Sequence, residues 1–241
     1  MMAKRPFFDF GAEADKVWQK LWERQYPECV KYAHPIWLEG LKKLGITGDG
    51  LPDFDKLDKI FQDEIGWELV STDVQYSDGQ DWFVNLAEKK FLITEYIREM
   101  KDLDYTPLPD IWHDAFGHLP WMTHQPYADY VRDFAIKSIE FTPEKRKPFG
   151  SLWWYSIEFG LMKHEGETKA FGAGLMSGYA EMQRVMAGTV KQTPFTLARM
   201  ETIDPSPHEY HDEMFVFDDF AHMSQASEQW YAHHQDLRIV T

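Results

Sequence analysis

The chain has 241 residues, 44% hydrophobic and 16% aromatic, with a formal net charge of -15. That length and apolar share furnish the core of one large domain, while so acidic a chain with no basic patch would repel a phosphate backbone, which excludes nucleic acid as a partner. One cysteine, Cys29, allows no internal disulfide; with no secretion-type leader and no apolar run near the ~18 residues of a membrane span, the expectation is a cytoplasmic protein without membrane contact.

In chain order, apolar periodicity predicts helices over 12–25 and 27–44, the second starting at Pro27. GITGDGLPD at 45–53 reads as a surface loop, followed by a helix over 53–65 and a short strand over 67–70. A helix over 81–89 and a strand over 91–93 come next, then helices over 110–116, 126–141 and 151–164. The remainder reads as a strand over 169–171, a helix over 176–187, a loop DPSPHEYHD at 204–212, a strand over 214–217 and a last helix over 218–234. The expected architecture is mainly α with minor β structure, a single domain over 1–241 with no repeat and no linker.

DIWHDAFGHLP at 110–120 carries His113 and His118 five positions apart. In an unbroken α-helix such a pair is offset by about 140° and about 7.5 Å of rise, so one face cannot use both. The expectation is a helix stopped by Gly117 in the left-handed conformation, with Pro120 forbidding continuation and a bend returning His118 toward His113. The spacing differs from the HExxH pair of zinc peptidases, and Asp114 takes the place of the glutamate beside the first histidine.

SLWWYSIEFGLMK at 151–163 sets Glu158 among apolar neighbours, where an ionised carboxylate is costly without a cation. Two histidines and one carboxylate with open positions form the face used by non-haem iron(II) oxygenases. Two plainer readings stand beside it: ordinary polar histidines at a turn, and a glutamate paired with Lys or Arg. Spacing alone does not choose the metal.

Several blocks resemble the pterin-dependent aromatic amino acid hydroxylases: YTPLPDIWHDAFGHLP at 105–120, WWYSIEFGLMK at 153–163, KAFGAGLMSGYAE at 169–181 and, more weakly, HDEMFVFDDF at 211–220. They keep the family's order and spacing and cover about residues 66–220. The resemblance implies the family's catalytic-domain fold, a helical basket around a mononuclear iron site, without regulatory or tetramerisation domain, and a monomer. It implies iron(II) on His113, His118 and Glu158, and a tetrahydropterin, tetrahydrobiopterin or a related one, as second cofactor. It also implies dioxygen and an aromatic amino acid as substrates.

Further roles follow from the same resemblance. Arg98 matches the arginine that holds the substrate carboxylate, a task suited to its fork. Thr106 and Ser177 match residues that help place the substrate, Ser177 also orienting an iron-bound histidine. Trp154, Phe159 and Pro120 match the pocket lining, and Asp114 matches a carboxylate that reaches toward the pterin through water. Trp82 stands where the family usually stacks a Phe on the pterin, Gly178 where a Ser is usual, and Met214 near a usual Tyr. Val216 aligns with a position that is acidic in tyrosine hydroxylases and apolar in phenylalanine hydroxylases, and Trp154 stands where tryptophan hydroxylases carry Phe.

The implied reaction is conversion of L-phenylalanine to L-tyrosine, with tryptophan or meta hydroxylation of phenylalanine as alternatives within the family. A zinc hydrolase and a pterin-binding protein without turnover are the readings of other classes. His208 and His211 read as a solvated loop, His233 and His234 as surface residues, His124 as near the pocket without a role, and Cys29 as a thiol without catalytic duty.

Overall fold

The computed structural model describes residues 7–74, 79–104, 108–203 and 210–239. Helix α1, Gly11–Tyr32, runs straight through Pro27. Pro27 and Glu23 are both exposed, so the carbonyl that the proline leaves without an N–H is left to water. The break falls instead at His34, whose extended backbone (ψ 135°) is what a residue before proline adopts. Its Nδ1 accepts from the Ile36 N–H at the start of α2, Pro35–Leu44.

Helix α3, Phe54–Ile60, is capped by Asp53 and ends in a π-helical turn, Phe61–Ile65. Strand β1, Glu68–Thr72, helix α4, Gln80–Ala87, and strand β2, Lys90–Thr94, then form a parallel βαβ unit with Leu69 opposite Phe91. After a second π-turn, His113–His118, come α5, Leu119–Met122, α6, Gln125–Ser138, and α7, Pro143–Trp153. A third π-turn, Trp154–Glu158, extends α7.

The helix expected over 151–164 therefore starts earlier and stops sooner. It ends at Phe159 (φ -131°), and at Gly160 a Cβ would lie 2.4 Å from the Ser156 carbonyl oxygen. Beyond it Leu161–His164 is strand β3, because it pairs with β4, Glu167–Ala170, and with β6, Glu213–Phe217. The helix expected over 176–187 is two, α8, Ala173–Ser177, and α9, Tyr179–Met186, separated by extended Gly178 (ψ 97°). Strand β5, Lys191–Pro194, was not legible in KQTP; it is a mostly exposed edge that β6 templates in the order β4-β3-β6-β5. Helices α10, Leu197–Met200, and α11, Phe220–His233, complete the mainly helical fold.

Aromatic rings fill the core. Phe134, Phe149 and Trp230 stack with centroids 3.9 and 4.5 Å apart. Behind the second π-turn, Trp18 and Trp112 meet at 4.8 Å, Trp112 stacks on Phe116 at 4.0 Å, and Trp37 meets Phe116 at 4.8 Å. Such rings each bury ~150–250 Å² and give that turn a rigid backing.

His34 is buried, its ring 4.7 Å from that of His164. Burial, and then the nearby His164, His124 and Lys169, lower its pKa from 6.5 to about 4. The unfolded chain takes up a proton near 6.5 that the folded chain refuses, so stability is lost as pH falls from about 6.5 toward about 4. His34→Asn keeps a capping acceptor without titrating. Between pH 7 and 5 the metal-free wild type should lose roughly 4 °C more in melting temperature than His34→Asn; parallel curves would contradict this.

Candidate active site

His113 and His118 come together without a bend. The segment His113–His118 is π-helical, and the Leu119 N–H bonds the Asp114 carbonyl five residues back. A hydrogen-bond repeat of five sets residues five apart on one face. Gly117 is not left-handed and does not stop the helix. It is glycine because a Cβ there would lie 2.8 Å from the Ala173 carbonyl oxygen of α8. Pro120 does not end the helix either. It sits in the first turn of α5, and the Phe116 carbonyl that it cannot bond accepts from Trp37 Nε1 at 3.0 Å.

Glu158 closes the third π-turn, where the Phe159 N–H again bonds five residues back to Trp154. His113 Nε2 lies 3.0 Å from His118 Nε2 and 3.4 Å from Glu158 Oε2, and His118 Nε2 lies 3.4 Å from Glu158 Oε1. These three side chains are the group of potential metal ligands found among the described residues. For nitrogen or oxygen bonds of about 2.1 Å, donors at right angles lie about 3.0 Å apart and tetrahedral ones about 3.4 Å. The triangle is thus the size of one face of a metal's coordination shell.

Proton positions support the fit. The Ser177 hydroxyl donates its one hydrogen to the Ala173 carbonyl at 2.9 Å, so at 2.8 Å it accepts the Nδ1 proton of His113. His113 Nε2 then carries a lone pair, aimed at a second imidazole and a carboxylate. Burial would raise the Glu158 carboxyl, but the two histidines outweigh it and hold it well below the usual range. Burial would likewise lower His113, and Glu158 reverses that. The donor set favours a positive charge at its centre.

Four supporting residues escaped the sequence reading. Trp153 Nε1 donates to Glu158 Oε1 at 2.9 Å and fixes the carboxylate. Asp110, fully buried, takes the Arg98 fork with both oxygens at 2.8 Å and accepts the His113 N–H at 3.1 Å. Burial raises the Asp110 carboxyl, and the Arg98 charge and hydrogen bonds bring it below its ordinary value. Thr94, at the end of β2, donates its N–H and hydroxyl to Asp114 Oδ2, both at 2.8 Å. Burial outweighs these bonds and pushes the Asp114 carboxyl up to about 6. Asp110 had a signal in its helix-capping position three residues before His113. Trp153, Thr94 and Glu181, the partner of His211, had none.

Half-buried Trp82 of α4 places its ring 6.5 Å from that of His118 and 5.3 Å from Phe91. Trp154 and Phe159, rings 4.9 Å apart, flank the carboxylate's turn, and Val216 is buried on β6 beside β3. Thr106 and His208 lie outside the described residues. His211 is not solvated: it is buried against Trp154 and bonded to Glu181. His234 is half-buried and stacked on Trp230 at 4.2 Å, whereas His233 is exposed. His124 lies by Phe220 at 4.9 Å, outside the ligand cluster. Cys29 is buried, and burial raises its thiol pKa well above 9.0.

Ser177→Ala frees the His113 ring, and the loss of such an orienting bond typically costs about 10–100-fold in metal affinity. Titration of the metal-free protein with iron(II) should show that weakening, beside a modest fall in the melting temperature of the apoprotein because the His113 Nδ1 proton loses its acceptor. Wild-type affinity would mean that the ring is held by other means.

A family model for biopterin-dependent aromatic amino acid hydroxylases matches residues 3–238. The phenylalanine-4-hydroxylase of Mesorhizobium japonicum is 33% identical over 193 residues, 79% of this chain and 70% of that protein. The crystal structure of Chromobacterium violaceum phenylalanine hydroxylase with bound iron(III) and the oxidised cofactor 7,8-dihydrobiopterin is similar with a TM-score of 0.86 at 28% identity, covering 95% of this chain and 84% of that one. The phenylalanine hydroxylase of Legionella pneumophila is similar with a TM-score of 0.87 at 25% identity, covering 97% and 94%.

Proposed function

The chain belongs to the biopterin-dependent aromatic amino acid hydroxylases, and from that membership we propose that it converts L-phenylalanine to L-tyrosine with iron(II) on His113, His118 and Glu158. The observation that carries this reading is the triangle of donors 3.0 to 3.4 Å apart. Iron(II) with a tetrahydropterin beside it supplies the electrons and open positions for activating dioxygen.

The protein's own part is placement. Ser177 sets the His113 tautomer, and Trp153 fixes one oxygen of Glu158. Asp110 uses two of the five N–H donors of Arg98, which leaves the far side of the fork for a substrate carboxylate. Thr106 adds a hydroxyl for substrate placement. Trp82 offers the pterin a larger aromatic face than the usual phenylalanine, and Asp114, one oxygen tied to Thr94, reaches toward it through water.

Trp154, Phe159 and Val216 make the pocket apolar, which keeps water from the reacting ring. A phenol hydroxyl buried against Val216 would lack a partner, at a cost of about 1–3 kcal/mol. An indole would be crowded by Trp154. Phenylalanine is therefore the preferred substrate, and hydroxylation at the para position is part of the same reading. The chain acts as a single catalytic domain and as a monomer, which light scattering would test. No helix of the described residues is long and apolar enough to cross a membrane.

The experiment is a competition. Protein reconstituted anaerobically with iron(II) is given air, tetrahydropterin and equal phenylalanine, tyrosine and tryptophan, with products separated by chromatography. Para-tyrosine should dominate. Dominant meta-tyrosine or 5-hydroxytryptophan would overturn the substrate reading and leave the metal reading standing.

A further inference from the structure

Glu181, His211 and Trp154 form a hydrogen-bonded row that the metal centre does not use. Trp154 Nε1 lies 2.6 Å from His211 Nε2, and His211 Nδ1 lies 3.0 Å from Glu181 Oε1. The same carboxylate oxygen accepts the His211 backbone N–H at 3.1 Å. An indole N–H can only donate, so His211 Nε2 must hold a lone pair, and the ring proton sits on Nδ1 and is donated to Glu181. Each link in the row has one donor and one acceptor.

The row is well placed to hold the pocket wall. His211 and Glu181 are each 7% exposed, whereas Trp154 is only half-buried. The His211 ring also lies 4.4 Å from Phe159 and 5.5 Å, edge on, from Tyr155. One imidazole thus bonds one proposed wall residue, Trp154, and packs against another, Phe159. Without it, packing on one side alone would leave the Trp154 indole a choice of rotamers. Glu181 is at the start of α9 with Arg184 Nη1 3.8 Å from its other oxygen, so the row is anchored on a helix rather than a loop.

We infer that His211, held by Glu181, is a positioning residue that fixes the Trp154 indole as the wall of the aromatic side-chain pocket and so sets which ring the enzyme accepts. The inference rests on the pocket assigned under the proposed function.

The test uses three variants of the iron-loaded enzyme. His211→Phe keeps the ring and removes both hydrogen bonds. His211→Asn keeps a donor toward Glu181 and loses the acceptor that reaches Trp154. His211→Gln restores an acceptor at the distance of Nε2. The Phe and Asn variants should raise the KM for phenylalanine by about 10-fold, the scale of one well-made buried hydrogen bond, and narrow the preference for phenylalanine over tryptophan, with kcat and iron content little changed. The Gln variant should recover most of both. The Trp154 indole N–H signal, identified by its loss in Trp154→Phe, should move in the Phe and Asn variants and return in Gln.

An unmoved indole signal, or a moved signal with wild-type KM and wild-type preference, would overturn the inference. If His211→Phe does not fold, the Asn and Gln pair decides alone. Failure of the functional reading looks different: the wild type would then hydroxylate no aromatic amino acid at all.

Discussion

Glu158→Ala is expected to remove iron from the protein and to abolish tyrosine formation. The carboxylate is the one anionic donor of the triangle, 3.4 Å from each imidazole, and without it two neutral nitrogens are left to hold a dication. Loss of a residue that merely orients a ligand costs about 10–100-fold in affinity, so loss of the ligand itself should cost more than ~100-fold. The indole of Trp153 would also lose its acceptor, at a further cost of about 1–3 kcal/mol in stability. Glu158→Gln restores that acceptor without the charge. It should therefore recover the melting temperature but not the iron, and iron content measured beside thermal unfolding separates the two effects. A Glu158→Ala protein that keeps stoichiometric iron would remove Glu158 from the ligand set.

Arg98→Lys should have the next largest effect. Arg98 and Asp110 are buried together, 5% and 0% exposed at their side chains, and joined by two hydrogen bonds of 2.8 Å. A lysine ammonium, a point charge without the planar fork and with a shorter total reach, cannot bond both carboxylate oxygens and a substrate carboxylate at once. Breaking a buried pair from one side costs about 3–5 kcal/mol, and a lysine that keeps part of the pairing should lose a fraction of that. The KM for phenylalanine should rise by about 10-fold or more. Because Asp110 also accepts the His113 N–H, iron affinity should fall too, though less. If phenylalanine binds as before while pterin binding weakens, Arg98 belongs to the cofactor side.

Single residues show why some features were legible in the sequence and others were not. Glu158 stood out because a carboxylate among Ile157, Phe159 and Leu161 has a desolvation cost that needs an answer, and that cost is local. The five-residue spacing of His113 and His118 posed the right question, but its solution did not follow from local rules. Gly117 and Pro120 read as stop signals; the structure spends the first on a close approach to Ala173 and offsets the second with the Trp37 indole. Both partners lie far away in sequence.

The same holds for Pro27, tolerated on an exposed face of α1, and for Leu161–His164, which is a strand because β4 and β6 are there to pair with it. The polar and acidic neighbours of His211 in sequence point to a solvated side chain, whereas its neighbours in space are Trp154, Phe159 and Glu181. Local composition reports on the chain's own segment, and burial is decided by what packs on top of it.

The donor triangle is expected to support pterin-coupled hydroxylation of an aromatic amino acid. The most direct measurement is the amount of tyrosine formed per tetrahydropterin oxidised by the iron-reconstituted wild type with phenylalanine in excess. The expected ratio is close to one, falling to background without iron. Tetrahydropterin oxidation with no hydroxylated amino acid, or turnover equally supported by zinc without oxygen uptake, would contradict it.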